Sequence, residues 1–137
     1  MPIRFEFDQV NKILLLRVDG QLTDELLGEV YRAIRSYSIA TDAAATIVDL
    51  SGVTKFVVSS EFVRRLAQGQ PAMPNTERPR IVVAPQTDGF GLVRMFHLVG
   101  EQTRPKFSAV KTMDEALRTL QAENPEFKPI ELSSSLA

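Results

Sequence analysis

Polar and apolar residues alternate at the start of the chain. Ile3, Phe5 and Phe7 are separated by Arg4, Glu6 and Asp8, the period-two pattern of a half-buried strand. A polar turn over Gln9 to Lys12 leads into Ile13-Leu14-Leu15-Leu16-Arg17-Val18, which is apolar on both sides and suits a strand covered on both faces. The close spacing predicts an antiparallel hairpin, broken at Asp19-Gly20. Leu26, Leu27, Val30, Ile34 and Tyr37 then recur at helical spacing, behind a Thr23 cap and the acids Asp24 and Glu25 that the helix dipole favours. Ala40 to Ala45 reads as a loop, and Thr46 to Leu50 as a short, central third strand. Ser59 or Ser60 opens a second helix with Phe62, Val63, Leu66 and Ala67 inward.

Further along, Gln68 to Pro79 carries Gly69, Pro71, Pro74 and Pro79 and reads as a surface loop. Arg80-Ile81-Val82-Val83-Ala84 is a fourth strand, stopped by Pro85. Asp88-Gly89 starts a third helix with Leu92, Val93, Phe96 and Val99 inward, and Phe107 to Val110 is a fifth strand. Thr112 to Glu115 forms a capping box for a last helix that buries Met113, Ala116, Leu117 and Leu120. Beyond it, two prolines and Ser133-Ser134-Ser135 predict a loosely attached tail over 123–137. The order β-β-α-β-α-β-α-β-α requires crossover connections. It predicts one α/β domain over 1–122, with a mainly parallel, mixed sheet of five strands and about four helices.

Composition narrows the function classes. The chain has 137 residues, large enough for a single domain that buries roughly two-thirds of its unfolded surface. A net charge of −1, with both signs interspersed, gives no electrostatic footprint for nucleic acid. The absence of cysteine removes disulfides and thiolate metal sites. The start, Met1-Pro2-Ile3-Arg4-Phe5-Glu6, has neither a signal-peptide core nor a membrane span, so a cytoplasmic protein is expected.

Candidate chemistry concentrates beyond the carboxyl ends of the strands, where helix N-termini converge in such sheets. Ser51 to Ser60 and Pro85 to Gly91 meet that description, and Arg94 stands one turn into the third helix. Ser59, Ser60 and Asp88 read either as helix caps or as parts of an anion site. Gly89-Phe90-Gly91 lacks the third glycine of a dinucleotide fingerprint and the lysine of a P-loop. His97 is the lone histidine, and Asp49 ends the central strand without a catalytic partner in the sequence. No nucleophile–base pair, metal cluster or cofactor loop is legible, so neither enzyme, metal nor cofactor is expected.

The element order and several local signatures resemble the STAS family, whose members include bacterial anti-sigma-factor antagonists and the cytoplasmic ends of sulfate transporters. Val48-Asp49-Leu50 and Val58-Ser59-Ser60-Glu61 stand where that family has a strand ending in Asn/Asp-Leu and an Asp-Ser-Ser-Gly helix start. Gly20-Gln21-Leu22, Val93-Arg94-Met95-Phe96 and Leu98-Val99-Gly100 resemble further family signatures. The resemblance spans about residues 3 to 121 and is nearest the divergent, stand-alone SpoIIAA-like group. Two departures stand out: Val58 replaces the aspartate, and Glu61 replaces the glycine.

The resemblance implies a regulatory module that binds a protein partner of the anti-sigma or kinase type and is itself no enzyme. It implies Ser59, with Ser60 beside it, as the phosphoacceptor. A phosphate there would bring roughly −1.5 to −2 charge and repel a docked partner. The docking surface would run along a Ser51–Ser60 loop and the following helix, with Asp49, Ser51, Lys55, Phe56, Val57, Arg64 and Arg94 as contacts. Phe56 and Val57 serve as an apolar anchor if exposed, and as core if tucked under the helix. An exposed edge strand or the tail offers a homodimer contact. The alternative reading is a small apolar-ligand or lipid carrier, because SpoIIAA-like domains share their layout with Sec14-type lipid-binding domains. Phe62, Leu66, Phe90, Leu92 and Phe96 would line its pocket, against the general expectation of a filled core.

Overall fold

The computed structural model describes residues 2–130. Six strands form one sheet in the order β5-β4-β3-β2-β1-β6. Strands β2 (Ile13–Thr23), β3 (Ala45–Val57), β4 (Arg80–Val83) and β5 (Phe107–Val110) run parallel, and β1 (Ile3–Asp8) lies antiparallel to β2. Helices α1 (Asp24–Thr41), α2 (Ser60–Gln68), α3 (Thr87–Gly100) and α4 (Met113–Thr119) fill the connections. This is the mixed α/β architecture expected from the pattern, with one strand added.

The added strand is β6 (Lys128–Pro129), which pairs antiparallel with Glu6 and Phe7 of β1. Its segment was expected to be a loose tail, yet its described part is fastened at both ends. Asn11 exchanges two hydrogen bonds with the Glu123 backbone, and the Ile130 N–H donates to the Phe5 carbonyl at 3.0 Å. Phe127 and Ile130 pack against the two faces of the core. The Ser133–Ser135 run lies outside the described residues.

The two faces of β2 explain why its sequence is apolar on both sides. Leu14, Leu16, Val18 and Leu22 join Val48, Leu50 and Val53 of β3 under α1 and α3. Ile13 and Leu15 face the other way, with Ile47, Ile81 and Val83, and α4 closes over them through Ala116. Fully burying such side chains contributes about 1.5–3 kcal/mol each, so this double layer is the main source of stability. α1 meets the sheet through Leu26 and Val30, with Leu27, Ile34 and Tyr37 partly buried beside them, the stripe read from the sequence. The Phe5 and Tyr37 rings stack at 3.9 Å between centroids.

The largest difference from expectation lies in β2 and β3. Asp19-Gly20 does not end β2, and Ser51–Val57 is not a loop. The two strands stay paired to Thr23↔Val57, with register shifts between Arg17 and Asp19 and between Gly20 and Gln21. At each shift β3 holds one residue more than β2, which is the mark of a bulge. Gly20 takes φ +83°, open to glycine without steric penalty. At Gly52 a side chain would run into Asp19. The bulges leave the Leu50 and Val53 carbonyls without a strand partner beyond the end of β4, and Gln86 Nε2 donates to both at 2.9 Å. Gln86 is also the N-cap of α3, without a side-chain cap bond, so Asp88 lies inside the first turn rather than at the cap. Val99, expected inward, is 40% exposed, because α3 nears its end there and only Gly100 turns back to the core.

Candidate functional site

Pairing to Thr23↔Val57 sets the starts of α1 and α2 side by side at one edge of the domain. Thr23 caps α1, its hydroxyl accepting the Leu26 N–H at 3.1 Å. Ser59 caps α2 in the same way, accepting the Phe62 N–H at 3.1 Å. Asp24, one residue into α1, joins the two caps. Its carboxylate accepts the Ser59 N–H at 2.8 Å and the Ser59 hydroxyl at 2.9 Å. The exposed Ser59 oxygen thus sits between a helix-terminal amide and a carboxylate able to take its proton.

That geometry merges the two readings of Ser59: the hydroxyl caps the helix and is also reachable from solvent. Replacing it removes two bonds, so Ser59→Ala is expected to lower stability by about 1 kcal/mol. Ser60→Ala, at an exposed neighbour for which no side-chain bond is formed among the described residues, should fall within about 0.5 kcal/mol of the parent. Urea unfolding of both variants checks this, and equal effects would deny Ser59 the cap.

Around this pair, Lys55, Ser60, Glu61, Arg64 and Arg65 are exposed and Val57 is 48% exposed. Val58, in place of the family's aspartate, is half-buried against the core, so its apolar side chain has a packing role. Phe56 is neither a free anchor nor fully core. Half-buried, its ring lies against Gly89 at the start of α3, where any Cβ would collide with it. Arg94 is exposed on α3.

Asp49 and Ser51 do not join this edge. Asp49 is 3% exposed and turns to the α4 face of the sheet, where it accepts Arg17 Nη1 at 3.0 Å and the Ser51 N–H and hydroxyl. Arg17 Nε also reaches Glu6 at 2.8 Å, so three adjacent strands are tied by one cation. A buried, fully partnered carboxylate is not available for docking, which removes Asp49 from the contact set.

The interior between the sheet and α1, α2 and α3 is not completely filled. An apolar cavity of about 130 Å³ lies there, walled by Leu66, Leu92 and Phe96, while Phe62 and Phe90 lie off it.

Three residues here carry no signal in the sequence. Asp24 read only as a dipole-compensating acid, since Ser59 is 35 positions away. Arg80, read only as the first residue of the fourth strand, and Arg104, which no motif singled out, are 8% and 2% exposed. Among the described residues no cluster of His, Cys, Asp and Glu is placed to hold a metal ion. No helix among them is long and apolar enough to cross a membrane.

The strand order, the four helices and the serine-capped second helix define the STAS, or SpoIIAA-like, fold. Comparison with solved structures agrees. The chain is similar to the anti-sigma factor antagonist SpoIIAA in its unphosphorylated form, with a TM-score of 0.57 at 12% identity over 89% of this chain and 99% of that one. It is also similar to the Bacillus cell fate determinant SpoIIAA in the phosphorylated form, with a TM-score of 0.51 at 18% identity over 86% of this chain and 98% of that one. No family model matches the sequence, and no curated protein matches it. At such identities the likeness establishes a shared fold, with the sequence far diverged.

Proposed function

We propose that this protein is a regulatory protein-interaction module that docks a partner of the anti-sigma or kinase type along the α1–α2 edge, with Ser59 as the control point. The observation that carries this reading is the exposed Ser59 hydroxyl bonded to Asp24 at 2.9 Å beside the solvent-facing Val57. Support comes from SpoIIAA, which shares the fold and is known in unphosphorylated and phosphorylated forms. The partner supplies the phosphoryl chemistry; this chain serves as ligand and substrate rather than as enzyme.

Phosphorylation in this scheme acts electrostatically. A phosphoryl group on Ser59 forfeits the bond to Asp24 and places roughly −1.5 to −2 charge against that carboxylate and near Glu61. The α2 dipole offsets part of this repulsion. A partner contacting Val57 and Arg64 would meet a newly anionic surface and leave. The role belongs in the cytoplasm, where such regulators meet their partners. Homodimerisation through the β5 edge is compatible with it.

Titration calorimetry against an anti-sigma-type kinase encoded in the same genome tests the docking edge. The parent chain should bind, and Val57→Asp combined with Arg64→Glu should weaken binding at least tenfold. Arg118→Glu, exposed at the end of α4, should leave it unchanged. Equal loss from both variants would remove the assignment to this edge.

A further inference from the structure

Between α2 and β4 the chain runs through 69–79 with no helix or strand of its own. Both ends of this segment are tied down. At its start, Arg104 Nη2 donates to the Gly69 carbonyl at 3.3 Å, and the Tyr31 hydroxyl donates to the Gln70 carbonyl at 2.6 Å. At its finish, Arg78 Nη1 donates to Asp42 and to the Ala43 carbonyl, and the Pro79 carbonyl accepts the Thr46 N–H. The stretch 71–77 between these anchors is held differently. Among the described residues, two hydrogen bonds join it to the chain outside the segment. Thr46 Oγ1 donates to Met73 Sδ at 3.6 Å, and Arg80 Nη2 donates to the Thr76 carbonyl at 3.2 Å.

Met73 is what this stretch buries. Its side chain is 1% exposed and, with Ala72, walls the apolar cavity of about 130 Å³ under α1, α2 and α3. A buried charge lies beside it. Arg80 opens β4 opposite Thr46, the residue that bonds Met73. Its Nε and Nη1 are buried without a partner, and no aspartate or glutamate lines the cavity. Burial, and then the neighbouring Arg104 charge, hold the Arg80 guanidinium below its ordinary pKa, yet it stays cationic at neutral pH. A bridging water needs roughly two to four polar partners, and the cavity walls are almost wholly apolar.

Native interiors leave few buried donors idle, and an unpaired buried cation is among the most costly of them. The cover over this one is lightly held. One apolar side chain and two hydrogen bonds secure 71–77, the mark of a unit that opens locally while the rest of the domain stays folded. Opening lifts Met73 off Thr46 and Thr76 off Arg80, and water then reaches the guanidinium. Hydration of the ion offsets the exposure of one methionine. Methionine suits the part, because its flexible, unbranched side chain withdraws and returns without demanding one exact fit.

We propose that 69–79 is a hinged strap over the interior cavity, with Met73 as its plug and the buried Arg80 charge as the spring that opens it. The strap swings between its Arg104–Tyr31 and Arg78 anchors while the sheet and helices stay in place. Each opening bares Met73 and the cavity wall that it forms, which makes this side the route into the interior. The device rests on Arg80 and Met73 and does not depend on partner docking at Ser59.

Oxidation of the full chain by dilute hydrogen peroxide, read peptide by peptide by mass spectrometry, tests the strap. Peroxide converts an accessible methionine to its sulfoxide, so the buried Met73 reports opening. Met113, half-buried on the opposite face of the sheet, is the internal reference. Local opening exposes little surface, so the urea dependence of Met73 oxidation should be less than roughly half that of global unfolding. Arg80→Leu removes the buried charge and should slow Met73 oxidation, taken relative to Met113, by about fivefold or more without urea. The direction separates a spring from a tie: if Arg80 only fastened the strap through Thr76, its loss would speed the reaction. A urea dependence of half the global value or greater overturns the proposal. So does a relative rate in Arg80→Leu that is faster, unchanged or slowed by less than about fivefold. The first criterion uses the parent chain and decides the matter even if Arg80→Leu does not fold.

Discussion

Arg104→Met lowers the stability of this domain by about 3 kcal/mol, the largest single effect expected from any side chain at the helical layer. The reason lies at the end of α2. Leu66 and Ala67 have carbonyls that a continuing helix would satisfy, but Pro71, four residues after Ala67, has no N–H to give. Gly69 N–H turns back to the Arg65 and Leu66 carbonyls, which leaves Ala67 to Arg104 Nη1. Nη2 adds the Leu66 carbonyl at 3.0 Å and the Tyr31 hydroxyl, which itself donates to Gln70. The guanidinium also lies 4.8 Å from the centroid of the Phe96 ring. One cation therefore locks α1, the end of α2 and α3 together. Methionine keeps most of the packing and abandons each of these acceptors in a site that is 2% exposed. For a chain of this size the loss corresponds to roughly 10 °C in Tm. Arg104→Lys should recover only part of it, because an ammonium cannot span the fork of acceptors. Urea and thermal unfolding of the three proteins decide the point; a methionine variant within 1 kcal/mol of the parent would show that Arg104 is not the lock.

The second large effect sits on the opposite face. Arg17→Met is expected to cost about 2 kcal/mol, less than a fully buried pair would, because the Arg17 side chain is 31% exposed. Its removal leaves Asp49 buried with only Ser51 as partner and frees Glu6. A double-mutant cycle with Asp49→Asn isolates the pair. The coupling energy should be about 1–2 kcal/mol, in the range of contacting residues that share a network. Strict additivity would mean that Asp49 is held by Ser51 alone.

The fold was largely legible because its core elements are strongly periodic. The α1 stripe, the two-faced β2 and the Thr112 cap all obey one local rule each, and all appear in the structure. What escaped was the length of β3. Its core-facing residues run Val48, Leu50, Val53 and Phe56, because two bulges stretch the period from two toward three. A bulged strand therefore imitates a loop, and Ser51-Gly52 strengthens the imitation. β6 escaped for another reason: a two-residue strand containing a proline has no pattern to read, and only an edge position tolerates it. The candidate site was half legible. Ser59 announced itself at a helix start, whereas Asp24 becomes its partner only through the Thr23↔Val57 register. Arg80 and Arg104 belong to no motif, and it is the sheet and the α2 terminus that enclose them.

These features converge on one edge, where a strand register, two helix caps and a carboxylate hold the exposed Ser59. The most direct measurement is the affinity of an anti-sigma-type kinase from the same genome for the parent chain, Ser59→Ala and Ser59→Asp. Docking controlled by charge at Ser59 predicts that the parent and the alanine variant bind within about threefold of each other, while the aspartate weakens binding at least tenfold (about 1.4 kcal/mol). Equal affinity of all three forms would contradict the account.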